Sequence, residues 1–376
     1  MRNAPCNETI IKEIKNLEQL VSQTPSLENC TLQNLNLTES TINWNEVEIC
    51  NTTFLGCEMT IEMEIELRNK GAKVYGNFEN LPYNPFRKSL YTWKELMKGF
   101  SSRKDNSHDL KIYNHFSTTR YNPNINEALA QRIHDHAIDD ALRDLLAYDD
   151  KGMTKRKAVG IMGGHGIART NPFFKKTAQL AKMLAETGYF VVSGGGPGIM
   201  EAANLGAYFA GRKTADLKDA FEILKVAPKY TDKGYIETAK QVLKKYPKGT
   251  ENLAIPTWFY GHEPSNLFAS HIAKYFSNSI REDTLLAISL YGIVFAPGSA
   301  GTTQEIFMDA AQNHYGTMGY YSPMAFLGKK RYTKETKIYE LLEELSKGKK
   351  YNDLLTLSDS PKEIVKFIQN HPPLKC

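Results

Sequence analysis

The sequence lacks any run approaching the ~18 consecutive apolar residues of a membrane-spanning helix, and its opening, MRNAPCNETIIKEI, lacks the apolar centre of a secretory signal. Cysteine is sparse: Cys6, Cys30, Cys50, Cys57 and Cys376 form no CxxC pair, and no histidine joins them at zinc spacing. An odd set without a disulfide framework suits free thiols in a reducing cytoplasm. Long basic blocks are also missing. The net charge is +5, and Lys155-Arg156-Lys157 and the KGKK at 347–350 are too short for a nucleic-acid arm. The expected partners therefore include neither nucleic acid nor membrane. The Asn-x-Thr sites at Asn7, Asn29, Asn36 and Asn51 read as accidents of an Asn/Thr-rich composition.

What the N-terminal part does have is a rhythm of five. Leu27, Leu32, Leu37, Ile42, Val47, Thr52 and Cys57 recur at that interval, with Cys30, Leu35, Cys50 and Leu55 two places before several of them. Five is the period of neither a helix nor a plain strand. It resembles the pentapeptide-repeat β-helix, whose square coils must stack to bury a common face. A small β-rich domain with chance spacing is the other reading. Next, MTIEMEIEL (59–67) alternates apolar and polar residues, which predicts a half-buried strand with Glu62, Glu64 and Glu66 outward.

Residues 1–80 are thus expected as a β-rich module and 81–125, rich in Asn, Pro, Tyr and Ser, as a linker. Residues 126–147 predict a helix through Leu129, Ile133, Ala137, Ala141 and Leu145, widened by Ile138 and Leu142. It is expected to lead a domain covering 126–376. His134 and His136 share it with Asp135, Asp139 and Asp140. A metal site is one reading, and a charged solvent face is the preferred one.

From Lys157 onward, short apolar runs alternate with helical patterns. Strands are expected at Ala158–Met162, Tyr189–Ser193, Glu222–Val226, Leu253–Ile255, Ile293–Ala296 and Met324–Leu327. Between and after them, helices are expected from Asn171-Pro172, through Gly206, near 235–245, through 264–288, to about 313 and near 335–346. Strand–helix alternation implies an α/β fold with a parallel sheet covered on both faces.

Three strand-to-helix junctions are glycine-rich: MGGHGIART (162–170), VVSGGGPGIMEAANLGA (191–207) and APGSAGTTQEIF (296–307). In a parallel sheet they share the carboxyl edge, where ligands bind. Glycine lets main-chain N–H groups approach an anion, and the first N–H groups of a helix lack internal partners. The alternative role is tight strand–helix packing; three such loops on one edge favour a phosphorylated ligand. None is a Walker A loop, and none has the spacing GxGxxG with a ribose-binding acid, so no dinucleotide cofactor is expected. Glu305 falls in the first turn of a helix, where a carboxylate gains from the dipole or faces the ligand. Arg281 suits bidentate pairing with a phosphate or carboxylate; the plainer reading is a surface ion pair with Glu282 or Asp283.

The pair SGGGPGIMEAANLGA and APGSAGTTQEIF resembles the LOG (Lonely Guy) family, the lysine-decarboxylase-like proteins, over roughly residues 155–330. PTWFYGHEPSNLFASHIAKYFSNSIREDTLL looks like the longer bacterial type. The resemblance implies a Rossmann-like, doubly wound fold, a homo-oligomer, and hydrolysis of nucleoside 5′-monophosphates such as AMP to free base and ribose 5-phosphate, without cofactor or metal. It makes Glu305 and Arg281 the catalytic positions. The substrate-binding positions it implies are Ser193, Gly194, Gly195, Gly196, Gly198 and Met200 on one loop, Gly298, Ser299, Gly301, Thr302 and Thr303 on the other, and Glu263. Three residues depart from the family pattern: Ser299 for glycine, Gln304 for glutamate, and Glu282 where plant-type members carry lysine.

Breaking a ribosyl C–N bond creates an oxocarbenium-like centre at C1′, which one carboxylate can stabilise while it deprotonates water. Arg281 is expected to lower the pKa of Glu305 and keep it charged at neutral pH, or to clamp the phosphate. A second function class is nucleotide sensing without catalysis, as in the related SLOG domains. A third reading gives residues 1–80 an assembly role.

Overall fold

The computed structural model describes residues 8–147 and 153–376. Cys6 lies outside the described residues. The chain forms two compact units: one of residues up to Leu90 with Thr119–Leu145, the other of Tyr91–Thr118 with Leu146–Cys376.

The first unit is organised by the rhythm of five. Strand Ser26–Glu28 pairs in parallel with Glu48–Cys50, and Cys30–Gln33 with Thr53–Leu55. Thr9–Ile11 and Lys73–Tyr75 extend the second ladder at either end. Ser26 faces Glu48 and Thr31 faces Thr53, so one lap of the coil takes 22 residues. Leu27, Leu32, Leu37, Val47, Thr52 and Cys57 are buried inside it. Thr52 Oγ1 donates to Leu27 O at 2.7 Å and Cys57 Sγ to Leu32 O at 3.4 Å, so their polar atoms are satisfied by the lap below.

The corners explain the asparagine content. Asn29, Asn34 and Asn51 have φ of 51°, 53° and 44°, the left-handed region that asparagine tolerates better than most residues. Asn51 Nδ2 donates to Asn29 Oδ1 at 2.8 Å, one lap apart. Gly56 takes the corner above Asn34 at φ 58°, where a Cβ would enter the Phe86 ring.

MTIEMEIEL is a helix, Ile61–Asn69, not a strand. Thr60 caps it by accepting from Met63 N–H, Glu62 and Glu64 lie in its first turn, and Glu64–Arg68 and Glu66–Lys70 pair at i,i+4. Ile61 is 74% exposed, so the alternating apolar face is not a buried one; capping and charge spacing outweigh a period-two pattern.

Helix Ile125–Leu146 forms as expected but groups with this first unit almost throughout. The Tyr83 hydroxyl donates to Glu127 at 3.0 Å, the Tyr83 ring meets His134 edge-on, and Lys12 pairs with Asp144. Most of its polar face is not solvated: His134, Asp135, Asp139 and Asp140 are buried, while His136 is exposed as expected and so is Leu129. His134 Nδ1 lies 3.1 Å from Asp135 Oδ1, and Arg143 pairs with Asp140. No cluster of metal-ligating side chains occurs among the described residues.

The second unit is an α/β domain around a seven-stranded, all-parallel sheet. Its order is His271–Ile272, Leu253–Ala254, Phe190–Ser193, Ala158–Met162, Ile293–Phe295, Met324–Leu327 and Leu355–Ser358. The chain builds outward from Ala158–Met162 in one direction, then restarts on its other side at Ile293. This is the switch point of a doubly wound, Rossmann-like fold, where a crevice opens at the carboxyl edge. Helices Pro172–Glu186, Ile199–Tyr208 and Pro361–Asn370 cover one face over Val159, Ile161, Val191, Val294 and Leu327. Asn171 and Ser360 cap two of them, each followed by Pro.

Three expectations here need correction. Glu222–Val226 ends a helix, Thr214–Leu224, whose buried Leu217, Ala220, Phe221 and Leu224 follow helical spacing. The stretch 264–288 is not one helix. His271–Ile272 extends the sheet, Ala273 and Tyr275 continue bonding to Ala254 and Pro256, and only Asn278–Ile288 is helical. Residues 81–125 are not a bare linker: they hold helices Trp93–Leu96 and His108–Thr119. Asp109 of the latter is buried and accepts from Lys274 Nζ (2.7 Å), Trp258 Nε1 (2.7 Å) and Ser265 Oγ (2.8 Å). Burial pushes this carboxyl up, but Lys274 beside it holds it below the usual range. The strand Leu355–Ser358 has no counterpart among the expected elements.

Among the described residues no helix is long and apolar enough to cross a membrane.

Candidate active site

The three glycine loops meet at the switch point and bond to one another. Gly164 N–H donates to Pro297 O at 3.0 Å, and Ile199 N–H donates to Gly164 O at 3.2 Å. Gly298 permits this contact, since a Cβ there would strike Thr302 Oγ1 and lie 3.0 Å from Gly164 N. Gly198, at φ 69°, opens helix Ile199–Tyr208 with its Cα against the Gly164 carbonyl.

The two loops carrying candidate residues differ in exposure. Gly194, Gly195, Gly196 and Gly198 are buried. Ser193 Oγ donates to Asn204 Oδ1 at 2.6 Å and accepts from Gly195 N–H at 3.0 Å. Asn204 in turn bonds to Asn252 and Asn266, so Ser193 belongs to a buried amide network that shapes the loop. Met200 and Glu263 lie over Gly196: a Cβ there would stand 2.6 Å from Glu263 Oε2 and 2.7 Å from Met200 Cε.

The other loop is open. Ser299, Ala300 and Gly301 are exposed at the start of helix Ala300–Tyr315. The first intrahelical bond is Thr303 N–H to Ser299 O at 3.0 Å, which leaves the N–H groups of Ala300, Gly301 and Thr302 ahead of it. Ser299 makes no capping bond with its side chain, Thr303 Oγ1 donates to Ser299 O, and Thr302 is buried.

One turn further along this helix stands Glu305. Arg281, on helix Asn278–Ile288 and only 8% exposed, places Nη1 3.3 Å from Glu305 Oε1. Arg281 thus pairs across helices with Glu305, and its Nε has no hydrogen-bond partner among the described residues. The expected lowering of the Glu305 pKa is overturned. Burial pushes this carboxyl up to about 7, because desolvation outweighs the Arg281 guanidinium and Glu282 adds a like charge. The side chain keeps 12% of its surface open to solvent.

Two departures from the family pattern turn out to be partners. Gln304 Nε2 donates to Glu282 Oε2 at 2.6 Å, so the carboxylate at 282 faces an amide. The Tyr260 hydroxyl lies 3.5 Å from Glu282 Oε1 and accepts from Asn278 Nδ2 at 2.9 Å. The segment Tyr260–Glu263 therefore runs from helix Asn278–Ile288 to Gly196.

Sequence reasoning missed Tyr260, Asn278, Arg331 and Tyr332. Arg331 and Tyr332 lie on a π-helical turn, Lys330–Glu335, that follows strand Met324–Leu327. Arg331 Nη2 donates to Gly298 O at 2.6 Å and the Tyr332 hydroxyl to Ala296 O at 2.7 Å. Arg–Tyr after a neighbouring parallel strand is the only signal the sequence offered.

A cavity of about 70 Å³ beside the loops is bounded by His165, Pro197, Gly198, Lys229 and Tyr230. It touches neither Glu305 nor Arg281, and its size suits water rather than a nucleotide.

Residues 156–215, which include the first two glycine loops, match the SLOG cluster4 family. No curated protein matches the chain at significant similarity. Solved structures similar to the chain include the molybdenum cofactor binding protein from Rippkaea orientalis, 18% identical with a TM-score of 0.36, where the likeness covers 57% of this chain and 97% of that one. Another is the molybdenum cofactor carrier protein from Chlamydomonas reinhardtii, 15% identical with a TM-score of 0.35, covering 57% and 98%.

Proposed function

We propose that the second unit hydrolyses the N-glycosidic bond of nucleoside 5′-monophosphates, releasing free base and ribose 5-phosphate. The observation that carries this reading is Glu305, paired with Arg281 one helical turn from the exposed Ala300 and Gly301, whose N–H groups precede the first intrahelical bond. A phosphate at those amides would fix the ribose, and such positioning is a large part of catalysis.

In the reaction, water attacks C1′ as the bond to the base nitrogen breaks. Ionised Glu305 takes one proton from water as the hydroxide joins C1′, the base leaves with the bond's electron pair, and the base takes up one proton from solvent while Glu305 releases one to it. A carboxyl with a pKa of about 7 is matched to this duty near neutral pH. Arg281 holds it in place and opposes the carboxylate's charge. The chemistry asks for no metal.

The test is to incubate the protein with AMP, GMP, CMP and UMP and measure free base and ribose 5-phosphate. Glu305→Gln should bind nucleotide and not turn it over; a wild-type rate no greater than this variant's would sink the reading. A second reading, nucleotide binding without turnover, is favoured by the SLOG cluster4 match over 156–215. Tight binding with no product from any of the four nucleotides would select it.

A further inference from the structure

We propose that Arg331 is the cation that holds the ligand's phosphate; this rests on the nucleotide reading above. Strand Met324–Leu327 pairs directly with Ile293–Phe295, so the turn that follows it stands beside the loop that follows Ile293–Phe295. Arg331 and Tyr332 grip the carbonyls of Gly298 and Ala296, on either side of Pro297. With those oxygens engaged, the face of the loop left to a ligand is its N–H face, at Ala300 to Thr302.

The charge balance of the site asks for such a group. The basic residue expected from sequence, Arg281, is committed to Glu305, and Glu282 adds a second carboxylate nearby. A phosphate carrying up to two negative charges needs more than amide dipoles in such surroundings. Arg331 keeps 27% of its side chain exposed, and its guanidinium carries five N–H donors. One is used at Gly298. Glu335 faces it at 3.6 Å, an ion pair too long for a hydrogen bond, and Lys330 shares that carboxylate. The remaining donors can serve phosphate oxygens without releasing the loop. π-helical turns are often found at functional sites, and this one sets consecutive residues on two carbonyls of one loop.

The experiment uses the full chain carrying Glu305→Gln, so that bound AMP is not hydrolysed, and adds Arg331→Gln, Arg331→Met or Arg331→Lys. Glutamine is polar but shorter and carries no charge, and lysine keeps the charge without the fork. AMP binding by calorimetry should weaken about 10- to 100-fold with Gln and with Met, as expected for losing a charge-assisted bond, and by less than about 10-fold with Lys. Inorganic phosphate competing for the site should lose affinity in parallel, by more with Gln and Met than with Lys. If the Gln variant binds AMP like its parent, or Lys loses as much as Met, Arg331 only supports the loop and the proposal falls. Should the Met variant not fold, Gln against Lys still decides. If the parent with Arg331 intact binds no AMP, the nucleotide reading itself fails.

Discussion

Arg281 Nη1 lies 3.3 Å from Glu305 Oε1, yet burial pushes the Glu305 carboxyl up to about 7. A guanidinium at that distance stabilises the carboxylate, and burial takes back more than it gives. The acid is therefore divided between its two protonation states at the pH of a cell.

A base of this kind acts only when ionised. The rate should rise about tenfold per pH unit below about 7 and level off above it. Glu305→Gln should lower the rate by roughly 10²- to 10⁴-fold and abolish that rise. A pH–rate profile of kcat/KM, taken with AMP well below saturation so that the ligand-free protein's pKa is the one read, tests both.

The same titration has a sign for stability. A carboxyl whose pKa is raised on folding loses its proton more readily when unfolded, so stability falls as pH climbs from about 4.5 to about 7. Glu305→Gln should therefore raise the thermal midpoint more at pH 8 than at pH 5. The difference should be on the order of 1–3 kcal/mol. A midpoint difference independent of pH would contradict the shift.

Asp309 should behave alike and more simply. It is 2% exposed, its Oδ2 has no hydrogen-bond partner among the described residues, and burial alone pushes its pKa well above normal. Asp309→Asn should stabilise the protein above neutral pH and change little near pH 4, where the carboxyl is protonated in the fold. Urea titrations at the two pH values test this.

Gln304 and Glu282 should be coupled. Gln304→Glu alone sets two carboxylates where an amide now meets one at 2.6 Å, and should cost about 1–3 kcal/mol. Adding Glu282→Lys should recover most of that loss. Unfolding free energies of the two single variants and the double one give the coupling; simple additivity would mean the two side chains are independent.

In the coil, Leu32→Ala should cost about 2–5 kcal/mol, because Leu32 is wholly buried. Ile42→Ala, at a half-buried place in the same rhythm, should cost less. Equal losses in denaturant titrations would argue against the stacked interior.

Much of this architecture was legible from local signals. The short uninterrupted runs at 158–162, 293–295 and 324–327 are buried on both sides, which is how parallel strands read. For Arg281 the sequence left open a contact with Glu305, a clamp on phosphate or a surface pair with Glu282 or Asp283, and the structure has it beside Glu305 across two helices. Local pattern failed where competing signals shared one stretch. Ile61 and Ile65 alternate with glutamates as a strand would, but Thr60 and the i,i+4 charges make a helix. His271–Ile272 sits in what looked like one long helix because pairing with Leu253–Ala254 is a long-range contact. The pKa of Glu305 departs from expectation for a related reason: a charged partner is a local feature, whereas exclusion of water depends on everything packed around the carboxyl. Arg331 left no motif, since its role follows from strand adjacency alone.

The stacking of Asn29 against Asn51, 22 residues apart, limits how the N-terminal unit can change length. Losing or gaining one residue between those corners would part Asn51 from Asn29 and shift the pairing of Ser26–Glu28 with Glu48–Cys50, whereas the outer circuits, Thr9 to Cys30 and Thr53 to Lys73, reach the same ladder in 21 and 20 residues. Duplicating or deleting a complete circuit would leave the corner asparagines superposed and the interior continuous. Between the stacked asparagines, length should therefore change by a whole 22-residue circuit, while single-residue changes belong to the outer connections, whose circuits already differ in length.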